Sequence, residues 1–163
     1  MAEVARVHGL GMVTLRGDPA ELADAAGLPP PEMRMSARAD GEALLWMSPD
    51  ELLLVCDDAP ARAAALVDAL SGRFATVADV SDARAVFDVT GPDAAGTLAK
   101  LMPVDFGALA PEEVRRTRMA QVAAACWREG EGYRVVCFRS VADYADALLR
   151  QAAAAPAPPV PGA

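Results

Sequence analysis

Residues 80–94, VSDARAVFDVTGPDA, divide the chain, because the sequence repeats itself on either side of them. Residues 85–90, Ala-Val-Phe-Asp-Val-Thr, are mostly apolar and β-prone and predict a strand. Gly91-Pro92-Asp93 ends that strand, and a proline with an acidic neighbour predicts a helix over residues 94–101. The same order opens the chain: a strand over residues 10–16, the break Gly17-Asp18-Pro19, and a helix over residues 19–26. Leu15-Arg16-Gly17 falls on Val89-Thr90-Gly91, and Leu28-Pro29 on Met102-Pro103, at a constant shift of 74 (89 minus 15, 103 minus 29). A constant shift is the mark of a duplicated unit.

Outward from that junction, each half continues in parallel. In the first, Pro29-Pro30-Pro31 leads to an extended segment over residues 33–39, Asp40-Gly41 predicts a hairpin, and residues 42–47 return as a strand. Ser48-Pro49-Asp50-Glu51 predicts a turn. Residues 52–56, Leu-Leu-Leu-Val-Cys, run apolar without alternation, as a strand covered on both faces does. Asp57-Asp58 is placed to cap a helix over residues 59–71 with the stripe Ala63, Leu66, Val67 and Leu70, and residues 74–80 predict a strand. The second half restates this: a strand over 84–89, the helix over 94–101, and one long strand over 114–127. A turn over 129–132, a strand over 133–138 and a helix over 141–154 capped by Ser140 complete it. Leu54-Val55-Cys56 aligns with Val135-Val136-Cys137 at a shift of 81 (135 minus 54), and the second half lacks only a closing strand.

The predicted fold is α+β: two ferredoxin-like (split βαβ) halves in one domain, residues 10–80 and 83–152 within a domain over 10–152. The sheets are mostly antiparallel, with helices packed on one face. Residues 1–9 read as a loose arm, and residues 153–163, rich in proline, as an extended tail.

Composition narrows the function. Hydrophobic residues make up 53% but aromatics only 5%, and the mean hydropathy of +0.19 points to apolar surface left for a partner. The net charge of −8 is uneven: residues 1–82 carry 14 acidic and 6 basic side chains, residues 83–163 carry 9 and 9. An acidic half repels phosphate backbones, which excludes nucleic acid as the expected partner. Cys56, Cys126 and Cys137 lie in apolar runs without metal or redox spacing, so buried free thiols are expected. With neither a signal pattern nor a run of 18 apolar residues, the expected setting is cytoplasmic, with no membrane.

No glycine-rich phosphate cradle, P-loop or CxxC occurs, and the single histidine, His8, has no partner at ligand spacing, so no catalytic, cofactor-binding or metal residue is assigned. Ser81, Asp82 and Arg84 cluster at the junction, where Asp82 and Arg84 could face a ligand; the favoured reading is that Ser81 and Asp82 bond their own backbone to make the turn. Asp50 and Glu51 resemble a carboxylate pair, but a tight turn predicts solvent exposure for both. Arg115, Arg116 and Arg118 form the one dense basic cluster; on a strand Arg116 and Arg118 share a face, suited to an acidic partner or a phosphate-bearing cofactor. Trp46 and Trp127 each precede a turn. With Arg116 and Arg118 they make up the candidate partner interface.

Three blocks, Trp46-Met47-Ser48-Pro49-Asp50-Glu51-Leu52-Leu53-Leu54, residues 79–92 (DVSDARAVFDVTGP) and Arg139-Ser140-Val141-Ala142-Asp143-Tyr144, resemble the gamma subunit of heterotetrameric sarcosine oxidase. The resemblance covers residues 10–151. It implies a fold related to the folate-binding N-terminal domain of the glycine cleavage T protein. It also implies alpha, beta and delta subunits as partners, with FAD, FMN, NAD, zinc and tetrahydrofolate held by them and no cofactor in this chain. The expected role is a non-catalytic assembly subunit of the complex that oxidatively demethylates sarcosine to glycine. The alternative, from the related fold and the arginine cluster, is a stand-alone folate-binding or aminomethyltransferase-like module. A regulatory small-molecule sensor is a third option, since paired ferredoxin-like units often serve as one.

Overall fold

The computed structural model describes residues 1–156; the predicted proline-rich tail falls largely outside the described residues. The chain forms two compact units, Gly9–Asp82 and a second made of Met1–His8 with the chain from Ala83 onward.

The first unit contains β2 (Gly11–Arg16), α1 (Pro19–Ala26), β3 (Ser36–Ala39), β4 (Glu42–Ser48), β5 (Glu51–Cys56), α2 (Ala59–Ala69) and β6 (Thr76–Asp79). It forms a five-stranded sheet in the order β3-β4-β5-β2-β6, with every pairing antiparallel. The second contains β1 (Glu3–Val7), β7 (Arg84–Thr90), α3 (Ala94–Ala99), β8 (Val114–Met119), β9 (Val122–Glu129), β10 (Gly132–Phe138) and α4 (Ala142–Ala154). Its sheet runs β1-β7-β10-β9-β8, again antiparallel throughout. Each unit is a split βαβ with one added edge strand, as the sequence predicts for the first half; the second has two strands more than the three expected.

The two sequence shifts reappear as strand register. Val13 pairs with Leu54, and Phe87, 74 residues on, pairs with Val135, 81 residues on from Leu54. The repeat is therefore geometrical, residue for residue, across the central strand pair of each sheet.

Residues 1–9 are not a loose arm. Residues 3–7 form β1, with Val4 opposite Val89, and β1 borders β7 as β6 borders β2. The closing strand absent from the second half is thus supplied from the chain's start. An edge strand keeps one side in water, so Glu3 and Arg6 are tolerated there and hide the strand pattern. Ala2 and Val4 reach the core of the unit.

Local chemistry explains several element ends. The Asp18 carboxylate accepts from the Ala20 and Glu21 amides at 2.9 and 3.1 Å, with Pro19 opening the helix. Asp58 accepts from the Ala61 amide at 3.0 Å. Asp40 and Gly41, at φ 52° and 82°, form the two-residue turn that joins Ala39 to Glu42.

Ser140 does not cap α4. It lies in a 3-10 turn, Arg139–Val141, which puts it too far ahead of the helix for its hydroxyl to reach the first-turn amides. Lys100 instead holds the far end, donating to the Ala152 and Ala155 carbonyls at 2.7 Å each.

The predicted long strand over residues 114–127 is a hairpin, turning at Ala120 and Gln121 between Met119 and Val122. Ala120 adopts φ 50° and its amide donates to the Leu101 carbonyl at 2.7 Å, so a tertiary contact makes a turn that no turn residue announces.

The cores sit between sheet and helices. Leu22, Leu44, Leu52, Leu54 and Leu66 are wholly buried in the first unit, Phe87, Leu98, Cys126, Val135 and Leu149 in the second. Burying each aliphatic side chain contributes roughly 1.5–3 kcal/mol. The run over residues 52–56 is buried save Val55, as continuous apolarity predicts. Two expectations fail: Val67, in the expected apolar stripe, is 55% exposed, and Phe74, expected to open the last strand, lies outside it and is fully exposed because β6 begins only at Thr76.

Candidate functional site

A bonded set of charged side chains in the second unit lies on the strands that its sheet pairs centrally. Asp88 on β7 stands opposite Arg134 on β10. The Arg134 guanidinium donates to both Asp88 oxygens, Nε at 2.7 Å and Nη2 at 2.9 Å. Nη1 lies 3.8 Å from a Glu129 oxygen, and the Trp127 indole N–H donates to that same oxygen at 3.0 Å. The two-point bond to Asp88 is the main reason the Arg134 pKa rises above its ordinary value, against a desolvation that lowers it. Chemically this is a closed network: its carboxylates neutralise a half-buried guanidinium and orient an indole.

The positions singled out from the sequence do not converge. Arg116 and Arg118 share the exposed face of β8, as alternation requires, while Arg115 pairs with Glu113 at 2.7 Å. Trp46 is half-buried against the apolar core of the first unit. Trp127 is 2% exposed, so within this chain it supports β9 and offers no surface. It stands opposite Arg134 on the row of β9 that faces away from the helices, the helix-facing row being Ala124 and Cys126.

Ser81 serves the turn. Its hydroxyl accepts from the Met12 amide at 3.0 Å and donates to Asp79 at 2.6 Å, and its own amide donates to Asp79 at 3.0 Å. The Ser81 hydroxyl and amide together hold the Asp79 carboxyl below its ordinary value of 3.8. Arg84 lies over the Phe138 ring, 4.3 Å from its centre, and Asp82 is exposed.

Glu51 corrects the expectation of exposure: it is 5% exposed. The loop is only Pro49-Asp50, so Glu51 is already in β5, opposite Arg16, and takes a 3.0 Å bond from that guanidinium. Asp50, on the loop, stays exposed and meets the same guanidinium at 3.4 Å.

The three cysteines are buried free thiols. Burial pushes Cys56 up to about 11 and Cys126 up to about 12, and raises Cys137, so none is a ready nucleophile. His8 is exposed between β1 and β2. Among the described residues no group of three or more His, Cys, Asp or Glu side chains is arranged to hold a metal ion, and no helix is long and apolar enough to cross a membrane.

A cavity of about 290 Å³ opens at the ends of α1 and α2, lined by Glu21, Asp24, Ala25, Ala69, Leu70 and Arg73. Arg73 is already bound to Glu21 at 2.5 Å. A carboxylate-lined wall of this kind repels an anionic ligand such as folate or a flavin phosphate.

Several residues of interest were not singled out from the sequence. Asp88 and Arg134 are each a lone charge within an apolar strand run, and the shifts of 74 and 81 place them opposite one another once the first unit's Thr14–Leu53 pairing is known. Exposed Phe74 follows Gly72-Arg73, a helix exit whose glycine, at φ 79°, was the available signal.

No protein-family model matches the chain. Sarcosine oxidase subunit gamma from Arthrobacter sp is 32% identical over 137 residues, covering 80% of this chain and 68% of that protein. A chain of the heterotetrameric sarcosine oxidase from Corynebacterium sp. U-96, solved in complex with pyrrole 2-carboxylate, superposes with a TM-score of 0.85 at 30% identity, covering 93% of this chain and 83% of that one. The glycine cleavage system aminomethyltransferase T from Bartonella henselae superposes with a TM-score of 0.72 at 17% identity, over 91% of this chain and 45% of that one, a likeness of fold alone.

Proposed function

Because the chain belongs to the sarcosine oxidase gamma-subunit family, we propose that it is the assembly subunit of a heterotetrameric, cytoplasmic sarcosine oxidase and takes no part in the chemistry itself. The observation that carries this is likeness along nearly the whole fold: 32% identity over 80% of the chain to a gamma subunit and a TM-score of 0.85 to a chain of the solved complex. In this reading alpha, beta and delta chains are its partners, and FAD, FMN, NAD, zinc and tetrahydrofolate are held by them. The oxidative demethylation of sarcosine to glycine runs on those chains. The gamma-like domain is read as residues 10–152, to which β1 adds an edge strand. Arg116, Arg118 and the half-buried Trp46 are contact candidates.

The side chains of this protein support such a division of labour. The Asp88–Arg134–Glu129–Trp127 network is spent internally, the thiols are buried and protonated, and the α1–α2 cavity is of the wrong sign for folate. The test is expression of the chain alone and with alpha, beta and delta chains. The lone protein is expected to be colourless and without sarcosine-oxidising activity, and to co-elute with a flavin-containing, active complex when all chains are present. Flavin or activity in the lone chain, or its absence from the assembled oxidase, would sink the proposal.

A further inference from the structure

The two long helices hold equivalent places, α2 after β5 and α4 after β10, and their outward faces differ in chemistry. On α4 the exposed positions include Asp143, Tyr144, Arg150 and Gln151. On α2 they are Ala61, Ala64, Ala65, Val67 and Ala69 with Pro60, and Asp68 is the one charged residue among them. The fold therefore does not require an apolar outer face at this place; this sequence put one there.

Beyond the helix stands Phe74, fully exposed. Its backbone is fixed: the Arg73 amide donates to Leu70 and the Ala75 amide to Arg73, each at 3.0 Å. Gly17 closes on it so tightly that a Cβ there would meet the Phe74 carbonyl at 3.0 Å. A phenyl ring held in water on a fixed backbone is a preformed anchor, since little ordering is left to lose on binding. Ala69, Leu70 and Arg73 line one cavity, so the helix end and the Phe74 loop are continuous.

Charge identifies the occupant. Gly9–Asp82 carries 13 acidic and 5 basic side chains, whereas the other unit carries 10 of each, so the whole net charge of −8 belongs to the unit with the apolar face. Asp57 and Asp58 at one end of α2, Asp68 on it and Asp24 across the cavity rim that face with carboxylates, and the one arginine of the cavity, Arg73, is offset by its ion pair with Glu21. A second copy would bring the same acidic rim against itself, which opposes self-association.

Resting on the assembly role above, we propose that the outer face of α2 with Phe74 docks an apolar patch rimmed by lysine and arginine on a different chain of the oxidase. Phe74 is the anchor, Val67 the adjoining contact, and the acidic rim sets orientation and the rate of encounter.

The test uses the co-expressed complex, captured through a tag on another chain, with the affinity of this chain measured by titration. Phe74→Ser and Val67→Asp are each expected to weaken association about tenfold or more, while Tyr144→Ser and Gln151→Asp on α4 leave it unchanged. Binding of the unmodified chain is expected to weaken as salt rises from about 50 mM to about 300 mM. Both altered α2-side residues are exposed, and circular dichroism of each lone variant confirms that it folds. Unchanged affinity in both Phe74→Ser and Val67→Asp, with the unmodified chain still assembling, overturns this proposal alone. Failure of the unmodified chain to join the complex overturns the assembly reading and takes this surface with it. A lone-chain dimer in light scattering that Phe74→Ser dissolves overturns the choice of occupant in favour of a second copy.

Discussion

At the same place in the two repeats, one sheet holds Thr14 opposite Leu53 and the other holds Asp88 opposite Arg134. The backbone register is shared, but the side chains solve the position differently. Leu53 is buried, and the Thr14 hydroxyl oxygen is buried without a hydrogen-bond partner among the described residues. Asp88 and Arg134 are joined by two short bonds and tied on to Glu129 and Trp127. The lesson is that the strand pair is specified by backbone pairing and by the helix-facing row, where Val13–Leu54 matches Phe87–Val135. The opposite row is free to diverge, either to apolar packing or to a self-contained ionic network, so the charges there are not evidence of a reaction site.

The largest test of that equivalence is removal of residues 1–8. If β1 is the counterpart of β6, the shortened chain loses about 4 kcal/mol, with amide protection falling in β7 and β10 while β2 and β5 stay protected. A synthetic peptide of residues 1–8 is expected to restore part of the loss. A shortened chain that melts with the parent would show that β1 is dispensable and the equivalence superficial.

Exchange of the divergent pair comes next. Arg134→Leu alone leaves Asp88 half-buried without its partner, at a cost of about 2 kcal/mol. Asp88→Thr with Arg134→Leu installs the pair that the sister sheet uses and is expected to recover most of that loss. Urea denaturation of the single and double variants measures the coupling, and strictly additive losses would mean that the two sites are not alternatives.

The smallest effect concerns the link between the repeats. Ser81→Ala removes the hydroxyl that receives the Met12 amide and bonds Asp79, at a cost of about 1 kcal/mol at neutral pH. Asp79 has a lowered native pKa, so its share of that stability is complete above its ordinary value of 3.8 and is lost as pH falls through the native value. The gap between parent and variant is therefore expected to narrow in acid, and NMR titration is expected to show the Asp79 pKa rising in the variant. A gap independent of pH would remove Asp79 from the account.

Several elements were legible because their causes are local. Asp18-Pro19 fixes the start of α1, Asp40-Gly41 the β3–β4 turn, and the apolar run over residues 52–56 a strand buried on both faces. The candidate site was less legible. Arg116 and Arg118 share an exposed face, as alternation alone dictates. Preceding a turn predicts a margin position for Trp127, and a tight turn predicts solvation for Glu51. Both are buried because each already stands in a strand, on the row that faces away from the helices, and bonds a polar neighbour there: Glu51 with Arg16, and Trp127 with Glu129.

The sequence by itself determined the duplication, the α+β class and the order of most elements. These follow from local propensity and from shifts that survive in the residue pattern. Tertiary structure alone decided that β1 closes the sheet formed by β7 to β10, that the chain reverses at Ala120, and that Asp88 meets Arg134. Each of these joins residues far apart in the chain: Val4 and Val89, Ala120 and Leu101, Asp88 and Arg134. Their stability comes from pairing and burial available only once the sheet exists, so no stretch of sequence read in isolation carries the signal.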